Sequence, residues 1–127
     1  MFTDYRDLLK KGFSHGGRGP ETFDCWGLCI EILKRMKKNA PELPTPDDMG
    51  ERHDLIAQQK SFLAEELNGP EEGAVVLLQV IPKYITHCGV CLGDGRFIHI
   101  LAQSRVTVER LNSPWWRDII QGYYRIK

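Results

Sequence analysis

The spacing of apolar residues changes character once along this chain, at Asn68-Gly69-Pro70, and that change confines it to helices first and an antiparallel sheet after. Ahead of the break the spacing is helical. Leu28, Cys29, Ile32 and Met36 mark one face of a helix running from Cys25 to about Lys38, with Asp24 as N-cap and a basic last turn at the negative end of the helix dipole. Leu55, Ile56, Phe62, Leu63 and Leu67 predict a second helix from about Asp54 to Leu67. A short opening helix over residues about 3 to 11 is closed by the Gly-rich loop 12–20, while Pro41, Pro44 and Pro46 make 39–50 an irregular connection. Behind the break, Ala74–Val80, Tyr84–Leu92, Arg96–Leu101, Arg105–Glu109 and Ile119–Ile126 are short, β-branched or aromatic, and separated by turn residues. The expected fold is α+β, with the N-terminal Cys25 helix packed on a five-stranded antiparallel sheet.

A chain of 127 residues buries one core and is too short for two, so a single domain spanning 1–127 is expected. Lys plus Arg and Asp plus Glu balance at 17 each, so no overall field draws the chain to nucleic acid or to an anionic membrane. The opening Met1-Phe2-Thr3-Asp4-Tyr5-Arg6-Asp7 carries acids and no apolar h-region, and no run approaches the ~18 apolar residues of a membrane span. The expectation is therefore a soluble chain, cytoplasmic on synthesis, without a signal peptide. In that compartment its four cysteines are free thiols, available for packing or for chemistry. The Gly-rich loop lacks the Gly-Lys-Ser/Thr ending of a phosphate loop, which argues against nucleotide binding.

Cys25 stands at the start of its helix, among unpaired backbone N–H groups and at the positive end of the dipole. That position favours thiolate and predicts a pKa below the usual ~8.5. The second informative stretch, His87 to His99, reads as a β-hairpin turning at Gly93-Asp94-Gly95. A turn centred on Gly93 sets His87 directly opposite His99 on one face, with Cβ atoms roughly 4.5 to 5.5 Å apart. A two-residue Asp94-Gly95 turn would pair Gly93 with Arg96 and send the histidines to opposite faces. If they share a face, His87 can take the proton of Cys25 and return it to a leaving amine, while His99 holds the His87 tautomer. Backbone N–H groups around Cys25 are candidates for oxyanion stabilisation.

Several neighbours are candidates for the substrate cleft. Trp26 follows the thiol directly and can form a wall of the groove. His15 lies beside Gly16-Gly17, although an exposed loop histidine is its simpler reading, and Cys91 shares the face of His87. A rival class is a metal module, because Cys88-Gly89-Val90-Cys91 is a formal C-x-x-C and Cys25, Cys29, His87 and His99 could add zinc ligands. On a regular strand, however, residues 88 and 91 point to opposite faces, so no metal is expected.

With these residues in place, the chain resembles the NlpC-type cell-wall peptidases, a papain-like group of cysteine hydrolases that cleave the peptide stems of bacterial peptidoglycan. Asp24-Cys25-Trp26-Gly27-Leu28 is similar to the family's nucleophile motif, Asp-Cys-Ser/Trp-Gly. His87-Cys88-Gly89-Val90 with Leu92-Gly93 is similar to its base motif, and His99 falls on its third catalytic position. The end of the chain, from Trp115-Trp116 to Ile126, resembles the family's closing strand, and Gly16-Gly17 its upstream Gly-Gly loop. The resemblance spans roughly residues 12 to 33 and 71 to 127 and implies a papain-like NlpC-type fold, Cys25, His87 and His99 as the catalytic set, a peptidoglycan stem peptide as substrate, and no cofactor. It also places Phe13 and Gly17 in the cleft. Two positions depart from the pattern: Phe13 stands where a tyrosine is frequent, and Gly73-Ala74 where Gly-Asp is frequent. Trp26, together with the missing export signal, resembles the bacteriophage and prophage tail-assembly subgroup, which implies phage tail proteins as partners. The alternative within the same fold is a structural tail component whose site is unused, with Phe13 as its support; acyl transfer would use the same groups.

Overall fold

Asp24 starts the first long helix, α1 (Cys25–Arg35), by holding extended backbone while its carboxylate accepts the Gly27 N–H. The helix buries Gly27, Leu28, Cys29, Ile32 and Leu33. It closes with Lys37 in the left-handed region, at a φ of 66°. The Lys38 N–H then reaches Leu33 O at 2.9 Å and the Lys37 N–H reaches Lys34 O at 3.0 Å, a Schellman closure that ends the helix just short of the expected Lys38.

The computed structural model covers Met1–Lys127. Ahead of α1 lie a 3-10 turn at Arg6–Leu8 and two short paired strands, β1 (Gly12–Phe13) and β2 (Thr22–Phe23). The expected opening helix is only that 3-10 turn, because Tyr5 provides no side-chain cap and the backbone is already extended at Leu9. After α1 come α2 (Met49–Leu63), β3 (Ala64–Leu67), β4 (Val75–Leu78), β5 (His87–Gly93), β6 (Arg96–His99), β7 (Thr107–Arg110) and β8 (Ile120–Ile126). The Asp48 side chain caps α2 through the Glu51 N–H, so this helix begins earlier than the expected Asp54.

The main sheet has six strands in the order β3-β8-β4-β5-β6-β7, and its neighbouring strands are all antiparallel. This corrects the expected five. The additional strand is β3, whose Ala-Glu-Glu-Leu composition favours helix. Pairing with β8 overrides that preference: Ala64 sits opposite Ile126 and Leu67 opposite Tyr123, while Arg125 bridges its partner Glu65 at 2.8 Å.

Each sheet face has its own core. Val75, Leu77, Cys88, Val90, Leu92, Ile98 and Ile100 join Leu28, Cys29, Ile32 and Leu33 of α1 in the larger cluster. Ala74, Val76, Leu78, Cys91, Phe97 and Leu111 form the smaller one on the other face, covered by Trp116, Ile119 and Ile120.

The β5–β6 turn positions the site. Asp94 and Gly95 both have positive φ, 55° and 71°, as a two-residue type I′ turn requires, and Gly93 pairs with Arg96. Such a turn alone would separate the two histidines. A bulge between Cys91 and Gly93 absorbs one residue, so Cys91 pairs with Phe97 and Val90 with Ile98. That shift restores the parity. His87 and His99 share a face, but diagonally rather than directly opposed, since this register sets Gly89 across from His99. A Cβ on Gly89 would come 3.1 Å from the His99 Cβ and 2.7 Å from Ile98 O, so glycine leaves room for the diagonal contact.

Candidate active site

The start of α1 is held from three sides. Asp24 is only 1% exposed, and its Oδ1 accepts from the Gly27 N–H and from Arg18 Nη1, each at 2.7 Å. Thr45 Oγ1 donates to the other oxygen at 2.6 Å. Arg18 also bonds Gly17 O, and the Asp24 N–H donates to the same carbonyl. A Cβ on Gly27 would collide with Gly17 O, so the loop can pack this closely only against glycine. A buried carboxylate with donors on both oxygens has its hydrogen-bonding capacity filled, and it fixes the residue that follows it.

That residue is Cys25. Its Sγ is 3.8 Å from Thr86 O, and His87, the first residue of β5, lines the same cavity and is close enough to lower the thiol's pKa. The neighbouring Cys88 thiol and burial push the Cys25 pKa well above the ordinary thiol value, while His87 pulls it down less strongly. This reverses the direction expected from the helix start alone. Cys88 lies behind Cys25 and continues to Cys29, with their sulfurs 3.7 Å apart.

His87 and His99 form the other half. His87 Nε2 is 2.7 Å from His99 Nδ1, and His99 Nε2 is 3.4 Å from Glu109 Oε2. Register puts both histidines on the face of Cys91 and Phe97, away from α1. Cys25 meets His87 at the end of the sheet, not across the face on which α1 packs. His99 is 1% exposed, with its ring 4.8 Å from both Phe97 and Trp116. Burial lowers its pKa to about 4, and burial is also the main cause that lowers the pKa of His87. Both rings are therefore neutral at neutral pH. With His99 Nε2–H directed at the Glu109 carboxylate, His99 Nδ1 accepts from His87 Nε2–H, and the His87 Nδ1 lone pair is left for the thiol. Glu109 sits opposite Phe97 on β7, diagonal to His99 just as His99 is to His87. Sequence reading singled out neither Glu109 nor Arg18; strand parity gives a signal for Glu109 once the β6–β7 register is known.

A cavity of about 400 Å³ opens beside Cys25 and is lined by Phe13, Trp26, Thr86 and His87 among others. The other cleft candidates lie elsewhere. Cys91 is buried in the smaller core, His15 pairs with Asp47 at 2.9 Å, and Gly17 underpins the helix start. Cys88 and Cys91 belong to the cores on opposite sheet faces, and no three His, Cys, Asp or Glu side chains gather to hold a metal.

What this arrangement defines first is a class, a mixed α/β fold in which the start of a helix brings a thiol to an imidazole at the end of a sheet. Within that class the chain belongs to the NlpC/P60 family, whose model matches residues 10–125. Members of that family are generally cysteine peptidases acting on the peptides of cell-wall peptidoglycan. Among solved structures, the chain is similar to NlpC2 from Trichomonas vaginalis, with a TM-score of 0.70 and 20% identity over 94% of this chain and 43% of that one. It is also similar to an NLP/P60 family protein, described as similar to lipoprotein, from Staphylococcus aureus subsp. aureus Mu50 (TM-score 0.66, 21% identity, 94% of this chain and 38% of that one). An NlpC/P60 family protein from Bacillus cereus ATCC 10987 gives a TM-score of 0.65 at 21% identity, over 93% of this chain and 36% of that one. The chain thus spans about two-fifths of the length of these neighbours. No curated protein sequence matches it. No helix is long and apolar enough to cross a membrane.

Proposed function

We propose that this chain hydrolyses an amide bond in a peptidoglycan stem peptide, with Cys25 as nucleophile, His87 as general base and acid, and His99 as the group that orients His87. The observation that carries this reading is that Cys25 and His87 line the same cavity while His87 Nε2 lies 2.7 Å from His99 Nδ1. Because thiol and imidazole rest neutral, the proton leaves Sγ for His87 Nδ1 as sulfur attacks the carbonyl carbon. Gly27 N–H is taken by the Asp24 carboxylate and Leu28 N–H by Asp24 O, which leaves the Cys25 and Trp26 N–H groups at the helix start as the donors for the developing oxyanion. His87 then protonates the amine as the C–N bond breaks. Water, deprotonated by His87, releases the acid from the thioester and regenerates the thiol. Glu109 acts through His99 as a positioning residue, since its carboxylate selects the tautomer on which the His87 to His99 contact depends.

The tail-associated reading, a wall-cleaving domain carried by a phage or prophage tail, rests on Trp26 directly after the cysteine. Phe13 in the cavity favours the second reading, a tail component of the same fold with an unused site, because a phenyl ring offers no hydroxyl to substrate. Purified muropeptides digested with wild type and Cys25→Ala, followed by mass spectrometry, separate the two. Cleavage by wild type alone is the expected result; equal absence of cleavage on several wall types would leave only the structural component.

A further inference from the structure

The cavity beside Cys25 does not match a purely polar substrate. Of its 28 lining residues, 19 are hydrophobic. Several of its polar groups are committed within the chain: Asp24 is filled by Gly27, Arg18 and Thr45, and Arg52 bonds Pro46 O and His15, while the Gln59 amide is left to the occupant. Lys60 has no carboxylate partner, but its ammonium lies over the Tyr124 ring at 5.7 Å. A peptide backbone drawn deep into this space would leave most of its N–H and C=O groups unsatisfied. An apolar chain has no such penalty.

The helix that walls the cavity supports the same occupant. Met49, Leu55, Ile56 and Leu63 of α2 line the space together with Arg52, Gln59 and Lys60, and no residue of α2 is buried. This mixed face borders a cavity where α1 has a core. At about 400 Å³ the volume falls within the ~300–1,000 Å³ of small-molecule sites, and the same space reaches Cys25 and His87.

We infer that the cavity is an acyl-chain subsite, which gives the site a second substrate class: N-acyl amides whose apolar chain lies against α2 with the carbonyl carbon at Cys25 Sγ. The inference rests on the thiol-hydrolase reading above and extends its range. The thiol adds to the acyl carbon, the C–N bond breaks, and the amine leaves with the proton held by His87. Water then cleaves the thioester to give the free carboxylic acid. A stem peptide keeps its polar backbone at the mouth, beside Thr86.

Acetyl and octanoyl p-nitrophenyl esters report the same acyl transfer to Cys25. For wild type, kcat/KM for octanoyl is expected to exceed that for acetyl by at least tenfold, with both absent in Cys25→Ala. In Leu55→Asp, which sets a charge on the cavity wall, that ratio collapses toward one. Gln58→Asp, on the same helix but outside the lining, keeps it. Equal rates for the two esters in wild type would overturn the acyl subsite while leaving the thiol chemistry standing. If neither ester turns over, the thiol reading fails, and decanoate titrated into Cys25→Ala decides the subsite alone through fluorescence of Trp26 in the cavity wall. Saturable binding that Leu55→Asp removes supports the subsite; no binding overturns it.

Discussion

The two helices of this molecule differ in material and in use. α1 has one apolar stripe, buries five residues and ends at both sides in satisfied caps, whereas α2 mixes polar and apolar residues around its circumference, buries none and borders a cavity. The Cys25 thiol rides on the first, and the cavity wall belongs to the second. In the proposed reaction a nucleophile must be held to a fraction of an ångström, which close packing supplies, while a cleft must be able to accept and release. The contrast between α1 and α2 is this division made physical.

That contrast can be broken most directly by paired truncations. Leu28→Ala on α1 is expected to destabilise by about 2–5 kcal/mol in urea unfolding, because Leu28 is fully buried. Leu55→Ala on α2 should stay within about 1 kcal/mol. Equal losses would end the distinction.

Acid sharpens it next. His99 has a folded pKa of about 4 against an unfolded ~6.5, so below pH 6.5 the unfolded chain binds the proton more readily. Stability is full above pH 6.5 and falls as pH drops toward 4, by roughly 3 kcal/mol for this group. Chemical denaturation across that window should show the loss, and His99→Gln should flatten it. Arg18→Ala should lower stability by about 2 kcal/mol, less than a fully orphaned buried charge, because Thr45 and Gly27 still serve Asp24. The smallest effect expected is that of Glu109→Gln: unchanged stability in the same assay, with kcat/KM reduced about three- to tenfold at every pH because the carboxylate no longer fixes the His99 tautomer.

How much of this was legible depends on whether a feature is local. The Asp24 cap and the face Leu28-Cys29-Ile32 are local, and the α1 start was readable to the residue. All five predicted strands exist, because β-branched runs between turns are local signals too. β3 was not readable: its four residues favour helix and become a strand only because β8 lies beside them. The histidine pair shows the intermediate case. Parity along each strand was legible, but the pairing was set by a bulge that no residue announces, and it moved the contact from direct to diagonal. The reactivity of Cys25 was misread for a related reason. A helix start is visible in sequence, whereas the Cys88 thiol behind Cys25 is brought there by the sheet and reverses the shift.

The central claim is that Cys25 is governed by His87 across the end of the sheet. Iodoacetamide labelling of Cys25, followed site by site from pH 5 to 11 in wild type and His87→Ala, tests it without any substrate. The account predicts an inflection above the ordinary thiol range in wild type, moved further upward when the imidazole that lowers it is removed. An inflection at the same pH in both proteins would contradict it.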